Sequence, residues 1–209
     1  MSDNNIYKEL KKQIISLEQK PGAIIREKEI MEAFSVSRTP VREALMRLEM
    51  DGLVRIIPNA GTFVEEISFQ KLRDVFEVRA HLVRLAGKLA ATRISNEEII
   101  EVRRLIEEMK STKNTRTLMN LDNEIHDIIR KATKNELLMK TLSGLHDQAV
   151  RIWNSVGTES VYWEKLYLEF EDIVAALEQH DEETAARLLE EHANVFSEQL
   201  KNQLTFRTP

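Results

Sequence analysis

Residues 35–61, Ser-Val-Ser-Arg-Thr-Pro-Val-Arg-Glu-Ala-Leu-Met-Arg-Leu-Glu-Met-Asp-Gly-Leu-Val-Arg-Ile-Ile-Pro-Asn-Ala-Gly, decide the fold of the N-terminal part of the chain. Ser37 is a favoured helix N-cap, and Pro40 falls in the first turn, where its missing N–H costs nothing. Apolar residues then recur at the spacing of a helix that buries one face: Val41, Ala44, Leu45 and Leu48. Gly52 is expected to end this helix.

A β-hairpin is predicted directly after the helix. Residues 53–57 are rich in β-branched side chains, residues 58–61 carry Pro, Asn and Gly turn signals, and residues 62–64 have the pattern of a returning strand. Two shorter amphipathic helices are predicted before residue 35, at 6–17 and 27–34. Three helices followed by a two-stranded wing predict a winged helix-turn-helix domain of about 65 residues.

Two arginines, Arg38 and Arg42, lie four residues apart near the N-terminal end of the central helix, away from its apolar face. A helix-turn-helix protein inserts this end of its second helix into the major groove of DNA. Arginine can donate two hydrogen bonds to guanine O6 and N7, and the hydroxyls of Ser37 and Thr39 can reach phosphates. Because arginine is common on any helix surface, we infer DNA binding only from the combination of cap, early proline, apolar face, glycine and hairpin.

The composition excludes several classes of protein. The chain has 209 residues, of which 42% are hydrophobic, which suits one large or two small domains with a sizeable core. It contains no cysteine, which excludes disulfides and thiolate metal sites. No apolar run approaches the roughly 20 residues of a membrane span, and the N-terminus has no signal-peptide pattern. We therefore expect a cytoplasmic protein.

The net charge by itself does not indicate nucleic acid binding. The formal net charge is −5, and residues 1–64 carry ten Lys or Arg against nine Asp or Glu. A DNA interface must therefore depend on the local arrangement of cations. A dimer that presents two such faces would strengthen the attraction.

Five short segments of the N-terminal part form one recognisable pattern. They are Pro-Gly at 21–22, Val-Ser-Arg-Thr-Pro-Val-Arg-Glu-Ala-Leu at 36–45, Arg-Leu-Glu at 47–49, Asp-Gly-Leu-Val at 51–54 and Pro-Asn-Ala-Gly-Thr-Phe-Val at 58–64. Together they resemble the GntR family of bacterial transcription regulators. The resemblance implies that Arg38 and Arg42 contact bases and that Gly61 lets the wing backbone approach the minor groove. It also implies phosphate contacts from three side chains: Lys28, Ser37 and Thr39.

Two residues depart from the pattern of that family. Ala60 stands in the wing where the family often has arginine or lysine, so we expect a weaker wing contact with DNA. Lys28 stands where arginine is frequent. This exchange keeps the positive charge but loses the two-pronged hydrogen bonding of a guanidinium.

The remainder of the chain is predicted to be helical throughout. Amphipathic stretches alternate with short turns, and Ser95-Asn96-Glu97-Glu98 has the form of a capping box. The first of these helices, at 69–93, is expected to bury an apolar side that includes Val78 and Leu85, and another is predicted at 160–180. Long helices joined by short turns indicate an antiparallel bundle. The predicted fold class is mainly α, with a winged helix-turn-helix domain at 1–66 and an all-helical bundle for effector binding and dimerisation at 67–209.

Asp122 and His126 lie four residues apart and therefore share one face of a predicted helix. A carboxylate and an imidazole in this arrangement can bind a divalent metal if other helices add ligands. His192, on the last predicted helix, is the natural third ligand. The alternative is that these residues are hydrogen-bonded side chains of an ordinary helical protein, which is the more common role of such a pair.

Phe-Glu-Val-Arg at 76–79, Leu-Asp-Asn-Glu-Ile-His at 121–126 and a late histidine resemble the FCD effector domain of the FadR subgroup. Many FCD domains hold a metal with one aspartate and three histidines. The resemblance therefore implies Asp122, His126 and His192 as ligands of zinc, nickel or manganese. The remaining histidine usually lies 22 residues before the last one, and this position is Phe170 here. Phenylalanine cannot ligate a metal.

Phe170 leaves two alternatives open. Either three ligands bind a metal weakly together with water or effector, or the metal has been lost and the cavity binds a ligand directly. A phenyl ring in the effector site favours a ligand with more hydrocarbon than a small hydroxy acid. His146 could replace the missing histidine, although its spacing does not indicate this. By the same resemblance Arg79 lies near the effector pocket, where it could pair with a carboxylate; a surface ion pair with Glu77 or Asp74 is the alternative.

These features predict a ligand-responsive transcriptional regulator, acting as a repressor, that binds a palindromic operator as a homodimer. A small organic acid or a similar metabolite is the expected effector. One alternative is a DNA-binding regulator whose bundle serves only for dimerisation. A metal-dependent helical enzyme is the other alternative, but there is no His-Glu-x-x-His motif to supply a general base, so we expect no enzymatic activity.

Overall fold

The computed structural model describes the backbone of residues 3–156 and 166–205, and within these ranges the side chains of all residues except 69, 72, 156 and 196–205. The predicted helix start at residue 160 lies outside the described residues. The elements follow one another along the chain as α1 Asp3–Ile15, β1 Ile24–Ile25, α2 Glu27–Phe34, α3 Arg38–Met50, β2 Val54–Ile57, β3 Gly61–Val64, α4 Phe69–Arg93, α5 Asn96–Ser111, α6 Thr115–Ala132, α7 Glu136–Val156, α8 Leu166–Glu178 and α9 Glu182–Thr205. This architecture confirms the predicted fold class.

The chain divides into two compact units, Met1–Leu72 with Asp147–Ser155, and Arg73–His146 with Val156–Pro209. The first unit contains the winged helix-turn-helix and the C-terminal part of α7. The second contains the remaining helical region. The domain limits inferred from sequence, 1–66 and 67–209, remain predictions.

The first unit has one apolar core beneath its three N-terminal helices and its sheet. Helix α3 buries the four apolar side chains that its spacing predicted. They meet residues from α1, α2 and the strands in a single cluster whose members include Ile6, Leu10, Ile14, Ile30, Leu53, Val54 and Val64. Fully burying an aliphatic side chain of this size stabilises a fold by about 1.5–3 kcal/mol. The core therefore fixes how α3 projects its polar face.

The sheet and the first helix differ in detail from the sequence prediction. The sheet has three antiparallel strands in the order β1-β3-β2, because Ile24 and Ile25 pair with Phe63 and Thr62. A strand of two residues is too short to show an alternating pattern in the sequence, so only its pairing with β3 reveals it. Helix α1 ends at Ile15 rather than at the predicted residue 17. Leu17 lies outside the helix because its backbone is left-handed, with φ of +63°.

Residues Asp147–Ser155 of α7 belong to the first unit, and they form polar contacts with it that no sequence motif predicts. Asp147 Oδ2 lies 2.6 Å from Lys11 Nζ. Gln148 Nε2 donates to the carbonyl of Asp51 at 3.1 Å, and Asn154 Nδ2 donates to the carbonyl of Ile15 at 2.8 Å. These bonds satisfy carbonyl groups near the ends of α3 and α1.

The second unit is built from helices that bury their apolar sides against one another. Helix α5 packs against α6 and α8, and α8 packs against α9. The capping box predicted at the start of α5 is present, with Glu98 N–H donating to Ser95 Oγ and Ser95 N–H donating to Glu98 Oε2. Helices α4 and α9 approach closely at Gly87, where a Cβ atom would lie 2.7 Å from the Cα of Ala186.

Helix α4 buries fewer of its apolar residues than the sequence predicted. Val78 and Leu85 were expected to be buried, but their side chains are 50% and 43% exposed. Apolar positions on this helix cover more than one face, and the helices of the unit contact only part of that surface. None of the helices within residues 3–156 and 166–205 combines the length and apolar character needed to cross a lipid bilayer.

Candidate DNA-binding surface and candidate metal centre

The N-terminal end of α3 presents four of the predicted DNA-contacting side chains on the surface of the first unit. Ser37, Arg38, Thr39 and Arg42 are all exposed. Ser37 occupies the N-cap position with an extended backbone, but its side chain does not accept the expected capping hydrogen bond. The start of α3 is therefore set by its backbone and by packing of its apolar face.

Both predicted base-reading arginines face one carboxylate at the start of α2. Arg38 Nε lies 3.2 Å from Glu27 Oε2, and Arg42 Nε donates to Glu27 Oε1 at 3.3 Å. The arginine side chains are 64% and 61% exposed, whereas that of Glu27 is 28% exposed. Sequence reasoning missed Glu27, because its position depends on how α2 packs on α3.

The other predicted DNA contacts lie on α2 and in the wing. Lys28 is exposed, and its Nζ lies 3.9 Å from Glu32 Oε1. Gly61 begins β3 with φ of +121°, a backbone conformation that residues other than glycine rarely adopt. It is exposed beside the turn residue Ala60. These placements leave the wing tip open to a ligand, and the DNA contacts themselves remain predictions.

Asp122, His126 and His192 come together in the second unit as the sequence predicted. The Nε2 atoms of His126 and His192 lie 3.1 Å apart, and Asp122 Oδ1 lies 3.7 and 4.0 Å from them. Two nitrogens bound to one tetrahedral zinc at about 2.0–2.1 Å lie about 3.4 Å from each other. All three ligand atoms fall within 4.8 Å of one another, so the residues fit a divalent metal.

A second carboxylate orients one of the histidines. Glu169 Oε2 accepts a hydrogen bond from His192 Nδ1 at 2.7 Å. A proton held on Nδ1 leaves the Nε2 lone pair of His192 directed at the cluster. Histidines that ligate metals usually donate their other ring N–H in this way, so Glu169 is a supporting residue that sequence reasoning missed.

Burial shifts the pKa values of His126 and Asp122. It lowers the pKa of His126 well below the ordinary value, and the neighbouring His146 and His192 lower it further. It also raises the pKa of Asp122 to about 6, against the opposing effects of His192 and Arg79. A neutral imidazole has the free lone pair that a metal requires.

Phe170 lies against the two histidines. Its side chain is 0% exposed, and its ring centroid is 5.0 Å from that of His192 and 5.7 Å from that of His126. An apolar ring therefore packs beside the candidate metal centre. His146 does not replace the missing ligand, because its Nε2 lies 2.5 Å from Asn123 Oδ1 and it falls outside the group of mutually close ligand atoms.

A small cavity of about 20 Å³, room for about one water molecule, lies next to the cluster. Its lining combines cationic or imidazole groups with aliphatic side chains: Arg79, Val83, Ala86, His126, Ile129, Arg130, Leu142, His146 and Leu189. Arg79 is only 4% exposed, which disfavours the alternative of a surface ion pair. Phe170 contacts the histidines and is not among the lining residues, so its role in effector binding stays a prediction.

Two lining residues were not singled out as pocket residues from sequence. The Arg130 side chain is 11% exposed, and burial lowers the pKa of His146 well below its ordinary value. Arg130 follows His126 by four residues, so helical spacing places it on the same face of α6. This spacing was the available signal. His146 comes from α7 and depends on tertiary packing.

Comparison with known proteins gives two matches within the chain. Residues 74–195 match the FCD domain, and residues 3–64 match the family described as bacterial regulatory proteins, gntR family. The transcriptional repressor RspR of Escherichia coli K12 is 25% identical over 202 residues, which cover 95% of this chain and 89% of RspR. The Nta operon transcriptional regulator of Aminobacter aminovorans is 34% identical over 136 residues, 64% of this chain and 65% of that protein.

A solved structure shares the fold. McbR/YncC of E. coli superimposes with a TM-score of 0.85 at 21% sequence identity, covering 97% of this chain and 98% of McbR/YncC. The fold of this chain therefore occurs in a solved protein structure.

Proposed function

Because the chain belongs to the GntR family of bacterial regulators and carries an FCD domain, we propose that it is a ligand-responsive repressor that binds a palindromic operator as a homodimer. The observation that carries the proposal is the pair of exposed arginines, Arg38 and Arg42, at the N-terminal end of α3 in a winged helix-turn-helix. A target on chromosomal DNA implies a cytoplasmic location.

In this proposal α3 lies in the major groove. Arg38 and Arg42 donate to guanine O6 and N7, a contact that discriminates against other bases by about 1–3 kcal/mol. The side chains of Lys28, Ser37 and Thr39 bind phosphates and fix the position of the helix on the duplex. Gly61 allows the backbone of the wing to approach the minor groove closely.

The proposed dimer follows from how such a helix reads DNA. One recognition helix contacts only a short half-site. Two helices related by a twofold axis contact half-sites about 34–36 Å apart, so the operator must be palindromic. A dimer also doubles the number of local phosphate contacts, on which DNA binding must depend in a chain whose formal net charge is −5.

The proposed effector site is the small cavity beside the histidines, which must widen to admit any ligand larger than a water molecule. Arg79 and Arg130 line it, and a buried guanidinium can bind a carboxylate through two parallel hydrogen bonds. Its other walls are mostly aliphatic. This combination supports an organic acid with a hydrocarbon portion as the effector.

We further propose that Asp122, His126 and His192 hold a divalent metal, which would be zinc, nickel or manganese. Three protein ligands leave at least one coordination position for water or for the effector carboxylate. When bound, the metal supplies a positive centre that strengthens binding of an anion. The phenyl ring of Phe170 cannot act as a fourth ligand, so the metal binds less tightly than with three histidines.

Effector binding changes DNA affinity only by the difference in its affinity for the two states of the protein, typically about 1–3 kcal/mol. Release of the operator by the effector is the proposed direction. The coupling is reciprocal, so the operator must weaken effector binding by the same factor.

Native mass spectrometry and elemental analysis of protein purified without chelator test these proposals together. We expect two chains per particle, one divalent metal per chain, and mass that corresponds to any retained small acid. A monomeric particle in the presence of saturating duplex would contradict the homodimer. Protein free of metal that takes up none of the three candidate ions would contradict the metal site and leave direct binding of the effector.

A further inference from the structure

We propose that Glu27 is a positioning residue for sequence recognition: it holds Arg38 and Arg42 together before DNA arrives and thereby sets how sharply the protein discriminates between operators. The inference rests on the proposed base-reading role of the two arginines. Neither the family pattern used above nor the comparisons assign a role to Glu27.

The geometry is that of one carboxylate shared by two guanidinium groups. Each oxygen of Glu27 serves one arginine, Oε2 at 3.2 Å from Arg38 Nε and Oε1 at 3.3 Å from Arg42 Nε. The arginines follow each other by one helical turn on α3, and Glu27 comes from the first turn of α2. The carboxylate therefore connects the two helices at the end that would enter the groove.

The arginine atoms used in these pairs favour positioning over masking. Both pairs are formed through Nε. The two terminal amino groups of a guanidinium form the fork that bonds to guanine O6 and N7. Glu27 can thus fix the direction of each side chain through Nε, and DNA can use the terminal amino groups. A carboxylate that blocked DNA binding would be expected to occupy the fork itself.

The burial of the three side chains supports the same conclusion. Glu27 is 28% exposed, less than half as exposed as either arginine. Its negative charge lies in the first turn of α2, where a helix dipole favours an anion. The more buried partner is therefore the carboxylate, and the more exposed partners are the arginines.

Positioning matters because free arginine side chains have many rotamers. Ordering them on the DNA reduces affinity, and a side chain already held in the bound conformation avoids much of this loss. Exposed ion pairs contribute little to folding stability, so loss of the Glu27 carboxylate is expected to change recognition more than stability.

The test compares Glu27→Gln with Glu29→Gln in the full-length protein. Both changes remove one negative charge from α2, so both raise non-specific affinity for DNA to a similar extent. Glu29 pairs with Arg26 at 3.0 Å, and among the described side chains it forms no ion pair with Arg38 or Arg42. The probes are a duplex enriched from a random-sequence library by the wild-type protein and a scrambled duplex of the same composition. Binding to each is measured by fluorescence anisotropy at several salt concentrations, and melting temperatures check the fold.

We expect Glu27→Gln to lower the ratio of specific to scrambled affinity by at least about fivefold, the smaller end of one base contact. Glu29→Gln should change this ratio by less than about twofold, because it alters only the general electrostatic attraction. In an Arg42→Ala background the effect of Glu27→Gln should shrink, since the residue through which it acts is gone.

Two results would overturn the inference. An unchanged ratio in Glu27→Gln would show that the arginines find their bases without the carboxylate. A raised ratio would show that Glu27 competes with DNA instead of preparing the arginines for it. If the wild-type protein enriches no sequence from the library, the proposed function fails as a whole, which is a different outcome from failure of the Glu27 role alone.

Discussion

The Nε2 atoms of His126 on α6 and His192 on α9 lie 3.1 Å apart, and the Nδ1 atom of His192 is bonded to Glu169 of α8. Three helices thus fix two imidazoles at a spacing close to that of two ligands on one metal. Burial keeps His126 neutral by lowering its pKa, so its lone pair is available.

We predict that His192→Ala strongly reduces zinc affinity and that Glu169→Gln reduces it by about 10- to 100-fold, because Glu169 orients the ligand without touching the metal. Competition with a chromogenic chelator measures both changes. His81→Ala, which removes an exposed histidine of α4, is the matched control and should bind zinc as the wild type does. Wild-type zinc affinity in His192→Ala would contradict the assignment of this ligand.

Arg79 is predicted to bind the acid group of the effector. A series of straight-chain carboxylates, from acetate to octanoate, should raise the melting temperature of the wild-type protein, since a ligand at 100 times its Kd stabilises the folded state by about 2.7 kcal/mol. Arg79→Gln should lose this response. Arg104→Gln, a change on the exposed face of α5, should retain it. If the carboxylates raise the melting temperatures of Arg79→Gln and the wild type equally, the carboxylate group does not bind to Arg79.

Arg42→Ala should weaken binding to an enriched operator by about 1–3 kcal/mol and flatten the preference among related sequences. Lys8→Ala removes an equivalent charge from the exposed side of α1 and is expected to leave the preference unchanged. Binding to single-base operator variants measures the effect. If Arg42→Ala discriminates between the operator variants as well as the wild type does, Arg42 does not contact bases.

The wing offers a gain-of-function test at Ala60, which is exposed in the turn before β3. Ala60→Arg should add one phosphate contact, raising DNA affinity and steepening its salt dependence by about one ion. Ala60→Gln, which is long and polar but uncharged, should do neither. If the arginine variant binds with the salt dependence of the wild type, the wing does not approach the DNA backbone.

Gly87 and Gly144 make a matched pair for stability. A Cβ at Gly87 would lie 2.7 Å from the Cα of Ala186, so Gly87→Ala must separate α4 from α9 and should cost about 1–3 kcal/mol. A Cβ at Gly144 meets nothing within 4 Å, so Gly144→Ala on α7 should stabilise the protein by about 0.5–1 kcal/mol. Urea unfolding of both variants measures the difference. Equal stabilities would mean that α4 and α9 do not pack this closely.

Local signals in the sequence account for the elements that were predicted correctly. The face of α3, the capping box at Ser95 and the Asp122–His126 pair each depend on residues that recur at intervals of at most four positions. Several features formed by distant residues were missed. Strand β1 exists only through pairing with β3, and Glu27 reaches Arg38 only after α2 packs on α3.

The candidate metal centre shows the same division. Helical spacing joined Asp122 to His126, but His192 was added because of its place on the last predicted helix and because of the resemblance. The support from Glu169 and the cavity lining by His146 come from other helices, so no short-range pattern announces them. The prediction that Val78 and Leu85 are buried was wrong, because the sequence of a long helix does not show which of its apolar residues another helix will cover.

Selection of binding sites from a random duplex library by the full-length protein at moderate salt tests the central claim most directly, namely that α3 reads DNA sequence as part of a twofold dimer. We predict enrichment of a palindromic sequence with guanines in each half-site, and loss of that enrichment in Arg38→Ala and Arg42→Ala. A library that remains unenriched after repeated rounds with the wild-type protein would contradict the account.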